Sequence, residues 1–337
     1  MLNEIDQIPD GFLQAEADQL FALLGKPTLI HLEGENPKPL FICTLLHGNE
    51  TTGLYALQLL LKQYLDKPLP RSLSIFIGNV EAAAQKQRRL STQNDYNRIW
   101  PGTQLSDSIE TDIARSVTRI MRQYKPFASI DIHNNTGHNP HYGCVNILNP
   151  HGLQLASMFS NIAVYFTSPK GVQSAAFSDF CPAIVLECGQ SGNQNGIIHV
   201  LDYLQTILAL DNIPANHPHD LNLFHTLARV TIPGQVSFST HTDKDIQILE
   251  ILEQHNFDQL PAKTTFANIK SGISSAFIIS NESNEDVTDE FLDYIDGKAI
   301  LKKPVILSMY TTDQTAIRQD CLCYLMERLS LGRGRSE

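Results

Sequence analysis

The chain has 337 residues, of which 42% are hydrophobic and 18% are charged. This composition excludes a disordered, collagen-like or coiled-coil chain, and the length fits one large domain with a smaller one. The formal net charge is −11 with the acidic residues spread along the chain, which argues against a nucleic-acid or membrane partner. Apolar runs are far shorter than the roughly 20 residues of a membrane-spanning helix, and the first residues lack signal-peptide features. We therefore expect a cytoplasmic protein.

Strand and helix patterns alternate along the first two thirds of the chain. Continuous apolar runs between turns predict buried strands, and apolar residues at helical spacing predict helices. The predicted strands are 28–34, 39–46, 72–78, 127–133, 144–149, 163–167 and 182–189. The predicted helices are 11–24, 50–65, 109–124, 151–162 and 196–213. A polar stretch at about 82–108 has no periodicity, which predicts a surface loop with a functional role.

The last third of the chain has a different pattern. After about residue 222, short β-type runs alternate with Gly, Pro and Asn turns, and hardly any helical pattern occurs. The alternation before that point predicts an α/β fold, a mixed β-sheet covered by helices, whose ligands gather at the carboxyl ends of the strands. We therefore predict a catalytic α/β domain at 1–218 and a small β-rich domain at 219–337.

Two histidines and a glutamate stand where predicted strands end. His47 and Glu50 lie three residues apart at the transition from a strand to a helix, a spacing that points both side chains to one side. His133 ends another predicted strand, whose carboxyl end should lie at the same edge of the sheet. Two histidines, one glutamate and a water form a known type of catalytic zinc site. A His-x-x-Glu pair alone also occurs by chance, so the prediction depends on all three residues together.

Two further carboxylates lie at or near strand ends. Glu187 ends the apolar run AIVLE, where a buried carboxylate is costly unless it has a partner or a chemical role. Beside a zinc-bound water such a group can accept and donate a proton, and a structural ion pair is the alternative. Asp131 lies two residues before His133 on the same face of its strand, where it can orient that imidazole.

The polar stretch contains three arginines, Arg88, Arg89 and Arg98. A guanidinium group suits bidentate binding of a carboxylate, so the stretch is a candidate substrate-binding segment. A solvated loop face is the alternative.

Four segments together resemble the succinylglutamate desuccinylase/aspartoacylase family, within the zinc carboxypeptidase superfamily. They are HGNETTG at 47–53, NDYNRIWPG at 94–102, SIDIHNNT at 129–136 and IVLECGQSGNQNG at 184–196. Their order and approximate spacing are similar to those of the family from about residue 40 to 200, and the β-rich remainder resembles the family's small C-terminal domain.

The resemblance implies one zinc ion per chain, with His47, Glu50 and His133 as its ligands. It also implies that Glu187 is the general base of the family's Glu-x-Gly motif.

For the polar stretch, the resemblance implies contact with the substrate. Asn97 and Arg98 would hold a substrate carboxylate. Arg89, or its neighbour Arg88, would polarise the carbonyl of the bond to be cleaved.

The sequence departs from the family in one respect. Members that act on acidic N-acyl amino acids use a further arginine shortly before the catalytic glutamate, whereas no arginine occurs here between Arg122 and Arg229. The segment 171–182 carries Gln173, Ser174 and Phe177 instead. We therefore expect these residues to line a neutral pocket, and we expect a substrate with one carboxylate and a neutral or apolar side chain.

Three functions are compatible with these residues. The first is a zinc-dependent amide hydrolase acting on an N-acyl amino acid or a related small carboxylate. The second is a zinc metallocarboxypeptidase acting on peptides or cell-wall peptide fragments, and the third is a silent zinc-binding module that recruits a partner. Glu187 argues against the third, because a structural zinc site closes its fourth position with another ligand. The sequence does not define the acyl group, the amine or the oligomeric state. A homo-oligomer is compatible with it.

Overall fold

The computed structural model describes residues 1–273 and 275–330, which form two compact units. The first unit contains Met1–Asn134, His141–Tyr165 and Pro169–Leu221. The second unit contains Asn135–Pro140, Phe166–Ser168 and the chain from Asn222 onward. Among the helices of the described ranges, none combines the length and the apolar character that crossing a membrane requires.

Strands and helices alternate along the first unit. Its strands are β1 (Asn3–Ile5), β2 (Thr28–Leu32), β3 (Gly34–Thr44), β4 (Leu69–Ile77), β5 (Ala128–His133), β6 (Tyr142–Val145), β7 (Ile162–Tyr165) and β8 (Ala183–Glu187). Its helices are α1 (Leu20–Leu24), α2 (Thr52–Lys62), α3 (Val80–Ala84), α4 (Ile109–Tyr124), α5 (Pro150–Phe159), α6 (Gln173–Phe177) and α7 (Gln194–Ala209).

The strands of the first unit form a mixed sheet in the order β1-β2-β4-β3-β5-β8-β6-β7. The central strands β4, β3, β5 and β8 are parallel, whereas β2 and β6 run antiparallel to their central neighbours. Parallel strands end at one edge of a sheet, so the carboxyl ends of β3, β5 and β8 meet there. The predicted α/β class with a mixed sheet is confirmed.

Helices cover both faces of this sheet. Alternate residues of a strand point to opposite faces, so each face packs against its own helices. Phe41 and Cys43 belong to a buried cluster that also contains residues of α4 and α6, namely Ile113, Val117, Met121 and Phe177. Thr44 points to the other face, where α2 approaches so closely that a Cβ on Gly53 would lie 2.3 Å from Thr44 Oγ1. Glycine at position 53 therefore lets α2 pack directly on the sheet.

Several predicted elements are shorter in the structure, and two of them show the local cause. The predicted helix 11–24 is instead two 3₁₀ turns, Phe12–Gln14 and Ala17–Gln19, followed by α1, because Ala15 adopts extended backbone between them. The predicted strand 144–149 ends at Val145, since the Asn149 side chain already accepts a hydrogen bond from Gly152 N–H at the start of α5. In both cases a local side-chain or backbone preference overrides the apolar pattern.

The polar stretch is largely the irregular, solvent-exposed segment that the sequence predicted, but some of its apolar residues are buried. It begins with α3 and continues as an irregular segment at 85–108, which we call the arginine loop. The Trp100 ring is fully buried and packs edge-on against two phenylalanine rings. The centroid of its ring lies 5.8 Å from that of Phe76 and 6.0 Å from that of Phe177. The apolar residues of NDYNRIW thus anchor the loop in the core, although most of its other residues are polar.

The second unit is rich in strands. Its strands are β9 (Asn222–Thr231), β10 (Phe238–Ser239), β11 (Ile246–Ile248), β12 (Gln259–Leu260), β13 (Thr265–Ile269), β14 (Ile278–Asn281), β15 (Leu292–Ile295), β16 (Lys298–Leu301), β17 (Val305–Ser308) and β18 (Cys323–Arg328). Its helices are α8 (Thr288–Phe291), α9 (Gln314–Gln319) and a 3₁₀ segment, Glu250–His255. One of its sheets has five strands in the order β10-β11-β13-β16-β15, and β14, β9, β18, β17 and β12 pair antiparallel in that order.

Candidate active site

The turn that follows β3 places two of the predicted metal ligands. Leu45 adopts a positive φ of 55°, which ends the strand, and the Glu50 N–H donates to the His47 carbonyl oxygen at 3.1 Å. A Cβ on Gly48 would lie 2.2 Å from the Ala83 backbone nitrogen, so glycine is required where the turn packs on α3. The helix begins only at Thr52, two residues later than predicted, so His47 and Glu50 lie in the turn itself.

His47, Glu50 and His133 come together in the structure, as the sequence predicted. All three side chains are buried, and one nitrogen or oxygen atom of each lies within 4.8 Å of the others. The Glu50 carboxylate lies between the imidazoles: Oε1 is 2.7 Å from His47 Nδ1, and Oε2 is 2.8 Å from His133 Nδ1. Two imidazoles and a carboxylate in this arrangement can hold a metal ion.

A second carboxylate contacts the other ring nitrogen, Nε2, of each imidazole. Asp131 Oδ2 is 3.2 Å from His133 Nε2, as expected from their positions on β5, and Asp131 is fully buried. Asp95 Oδ1 lies 3.0 Å from His47 Nε2. A carboxylate in this position fixes the orientation of a metal-binding imidazole and raises its basicity.

Charges in this group influence one another strongly. Burial raises the pKa of the Glu50 carboxyl, but the His47 and His133 imidazoles lower it more, so it lies well below its usual range. For Asp95, burial is likewise outweighed by His47 and Arg88, and its pKa lies well below the ordinary value. Burial opposes a charge on His133, but Asp131 and Glu50 hold its pKa well above the usual range. Glu50 and Asp95 are therefore ionised, and their negative charge favours a bound cation.

Glu187 ends β8 next to His133, one of the predicted metal ligands. The two residues are paired in the register of β5 and β8, so their side chains leave the sheet on the same face. Glu187 is buried, and it lies near the buried thiols of Cys144 and Cys188. Burial raises the pKa of both thiols, and the Glu187 carboxylate raises it further.

Of the two adjacent arginines, Arg88 contacts the His47–Glu50–His133 group. The Gly48 N–H donates to the Arg88 carbonyl oxygen at 3.0 Å, which ties the arginine loop to the turn after β3. The Arg88 guanidinium then donates to Glu50 Oε1 at 3.3 Å and to Asp95 Oδ2 at 3.4 Å. Arg89 instead donates to the Gln93 carbonyl oxygen at 3.1 Å.

Asn97 and Arg98 follow Asp95 in a tight turn of the loop. The Asn97 N–H donates to Asp95 Oδ1 at 2.8 Å, and the Arg98 N–H donates to the Asp95 carbonyl oxygen at 2.8 Å. The Arg98 guanidinium donates to the Asn97 carbonyl oxygen at 2.8 Å. Asn97 Oδ1 is buried and accepts no hydrogen bond within the described part of the chain.

The residues expected to line a neutral substrate pocket belong to the core instead. Gln173, Ser174 and Phe177 are fully buried on α6, and the Phe177 ring stacks on Phe41 at 4.7 Å. Gln173 donates to Ser129 Oγ at 2.7 Å, so its amide is directed into the protein. That expectation was wrong, because residues 173–177 of this segment form a short helix that packs on the sheet.

Sequence reasoning missed two residues of the site. Asp95 was named only as part of a motif, although it contacts both His47 and Arg88. Asn134 was not singled out, yet its N–H donates to Glu50 Oε2 at 3.0 Å. Only their positions in the sequence could have indicated these two residues. Asp95 precedes the Asn97-Arg98 pair, and Asn134 directly follows a predicted ligand.

Comparison with known proteins extends these observations. A family model described as the succinylglutamate desuccinylase/aspartoacylase catalytic domain matches residues 37–207. No curated protein matches the sequence significantly.

Solved structures share the fold over most of their length. The succinylglutamate desuccinylase from Chromobacterium violaceum is 15% identical, with a TM-score of 0.58 over 89% of this chain and 86% of that chain. The succinylglutamate desuccinylase from Vibrio parahaemolyticus is 13% identical, with a TM-score of 0.59 over 88% and 83%. Murine aminoacylase 3 is 16% identical, with a TM-score of 0.60 over 88% and 96%.

Proposed function

The chain belongs to the succinylglutamate desuccinylase/aspartoacylase family, a group of hydrolytic deacylases with a zinc-carboxypeptidase-like fold, and from this premise we propose that it is a zinc-dependent amide hydrolase. The substrate class is an N-acyl amino acid or a related small molecule that carries a carboxylate. The observation that carries the proposal is the buried group His47, Glu50 and His133, with Glu187 paired to His133 on the neighbouring strand.

The donor set of this group fits one zinc ion per chain. Two histidine nitrogens and one glutamate oxygen are the protein ligands of a known class of catalytic zinc sites. With Nδ1 of each histidine as the ligand atom, Nε2–H of His47 donates to Asp95 and Nε2–H of His133 donates to Asp131. Zinc bound here would supply Lewis-acid chemistry, which activates water and polarises an amide carbonyl.

Glu187 is the proposed proton carrier. Its carboxylate accepts a proton from water as the water oxygen attacks the amide carbon, and it later donates this proton to the nitrogen of the leaving amine. Its burial and its place on the strand next to His133 support this assignment.

Arg88 is the better candidate for the arginine that donates to the substrate carbonyl oxygen. Its guanidinium contacts Asp95 and the proposed ligand Glu50, whereas Arg89 donates to a backbone carbonyl of its own loop. A positioned donor at the oxygen where negative charge develops lowers the barrier to attack. We assign Arg89 to holding the loop in place.

Asn97 and Arg98 are proposed to bind the substrate carboxylate. The tight turn at Asp95 places their backbone close to the His47–Glu50–His133 group, and the Asn97 Nδ2 and the Arg98 guanidinium are donors that suit a carboxylate. Since no arginine occurs between Arg122 and Arg229, we keep the expectation that the substrate has a single carboxylate. N-acetylasparagine and N-acetylaspartate differ only in one such charge, so a higher kcat/KM for N-acetylaspartate would contradict this expectation.

A substrate screen tests the proposed reaction. The zinc-loaded protein is incubated with N-acyl amino acids and with short peptides, and the released amine is measured before and after treatment with a chelator. We expect hydrolysis of N-acyl amino acids that the chelator abolishes and added Zn²⁺ restores. Release of C-terminal residues from peptides would support the carboxypeptidase alternative, and no hydrolysis by fully loaded protein would contradict both enzyme functions.

A further inference from the structure

Asn134 occupies a position where three segments of the candidate site meet. It is the first residue after β5, beyond the last sheet position His133, and only 5% of its surface is exposed. A residue outside the sheet receives no support from the strand ladder, so its own contacts must fix it.

The Asn134 side chain links the start of α2 to the loop after β8. Its Nδ2 donates to Thr52 Oγ1 at 2.9 Å and to the Gly189 carbonyl oxygen at 2.8 Å. Its Oδ1 accepts a hydrogen bond from the Thr52 N–H at 3.3 Å. Both donor hydrogens and the acceptor of the amide are therefore used.

Each segment that this amide joins carries one group of the site. Thr52 follows Glu50 by two residues, Gly189 follows Glu187 by two residues, and Asn134 itself follows His133. Its main-chain N–H also donates to Glu50 Oε2, the oxygen that faces His133 Nδ1. The main-chain contact orients the carboxylate, and the side-chain contacts fix the place from which the N–H donates.

We propose that Asn134 is a positioning residue: its side-chain amide fixes the main-chain N–H that orients the Glu50 carboxylate, together with the segment carrying Glu187, in the geometry that binds a divalent metal. The inference rests on the metal site of the proposed function. Residues that orient metal ligands typically change metal affinity by about 10- to 100-fold when they are removed. Loss of the Asn134 side chain should weaken zinc binding, although every ligand atom is retained.

Asn134→Ala tests this inference, with Ser191→Ala as the matched control. Ser191 is exposed and accepts a hydrogen bond from the Thr51 N–H at 3.1 Å, so the control also removes a link between the loop after β8 and the start of α2. The Zn²⁺ dissociation constant is measured by competition with a chromophoric chelator. The visible absorption of the Co²⁺-saturated proteins reports ligand geometry, which a loss of stability alone would leave unchanged.

The expected result is a folded Asn134→Ala protein whose Zn²⁺ dissociation constant rises by about 10- to 100-fold and whose Co²⁺ spectrum changes, while Ser191→Ala matches the parent. A parent-like dissociation constant and spectrum for Asn134→Ala would overturn the inference and leave the proposed function standing. A parent protein that binds no zinc would contradict the proposed function itself. If Asn134→Ala does not fold, Thr52→Val, which removes only the hydroxyl acceptor, should still raise the constant severalfold, and a parent-like constant would overturn the inference.

Discussion

The strand ends and the arginine loop both place residues in the candidate site, but different contacts hold those residues in position. His133 and Glu187 are placed by the register of β5 and β8, within a sheet whose backbone hydrogen bonds fix every position. Arg88 and Asp95 lie in an irregular segment that is held by the Gly48–Arg88 backbone contact and by the buried Trp100. The sheet register therefore positions His133 and Glu187, whereas Arg88 and Asp95 depend on contacts that the irregular segment makes with the turn after β3 and with the core.

The largest effect on turnover should come from the strand ends. Glu187→Gln keeps the shape of the side chain but removes the group that carries the proton, so kcat should fall by a factor of about 10²–10⁴. Zinc content should stay at the parent level, because Glu187 is not a proposed ligand. Steady-state kinetics together with elemental analysis check both statements, and near-normal turnover would remove Glu187 from the mechanism.

The loop should contribute the next largest effect, and only one of its adjacent arginines should show it. Arg88→Ala should lower kcat by about 10²–10³-fold, the cost of losing a donor to a developing oxyanion. Arg89→Ala, the matched control, loses a contact with a loop carbonyl and should change kcat much less. Equal losses for the two variants would mean that the loop acts as a whole and that Arg88 has no separate role.

Asp131 and Asp95 permit a direct comparison of the two regions, since each lies behind one histidine. Asp131→Asn and Asp95→Asn should both weaken zinc binding, within the range of about 10- to 100-fold for such partners. We expect the larger change for Asp131, which is fully buried in the sheet, because the partly exposed Asp95 lies in a loop that can readjust. A chelator competition assay that gives the larger change for Asp95 would reverse this ranking.

The smallest effect should concern substrate affinity. Arg98→Ala removes the guanidinium proposed to bind the substrate carboxylate, so KM should rise by about tenfold, with a smaller change in kcat. An N-acyl amino acid amide, in which the substrate's carboxylate is replaced by a neutral amide, should be hydrolysed equally by parent and variant. A variant that discriminates between the acid and the amide as the parent does would show that the carboxylate binds elsewhere.

The difference between the two regions also determines what the sequence reveals. His47, Glu50 and His133 were found because strand patterns locate strand ends, and parallel strands bring those ends to one edge. Asp131 was found because alternation along a strand puts it on the same face as His133. These inferences need only local periodicity and one topological rule.

Other parts of the site depend on long-range packing, which local patterns do not encode. Asp95 contacts a histidine 48 residues away through a loop without periodicity. The choice between Arg88 and Arg89 depends on a backbone contact with Gly48. Phe177 was assigned to a pocket because its segment lacks the family's arginine, yet an aromatic residue there fits the core equally well.

The zinc content of the protein tests the central claim most directly. The parent, His47→Ala and His133→Ala proteins are loaded with Zn²⁺, dialysed and measured by elemental analysis, with circular dichroism to verify folding. The proposed site predicts one zinc ion per chain in the parent and none in either variant, because each variant leaves only two ligands. A parent without zinc, or a folded variant that retains a full equivalent, would contradict it.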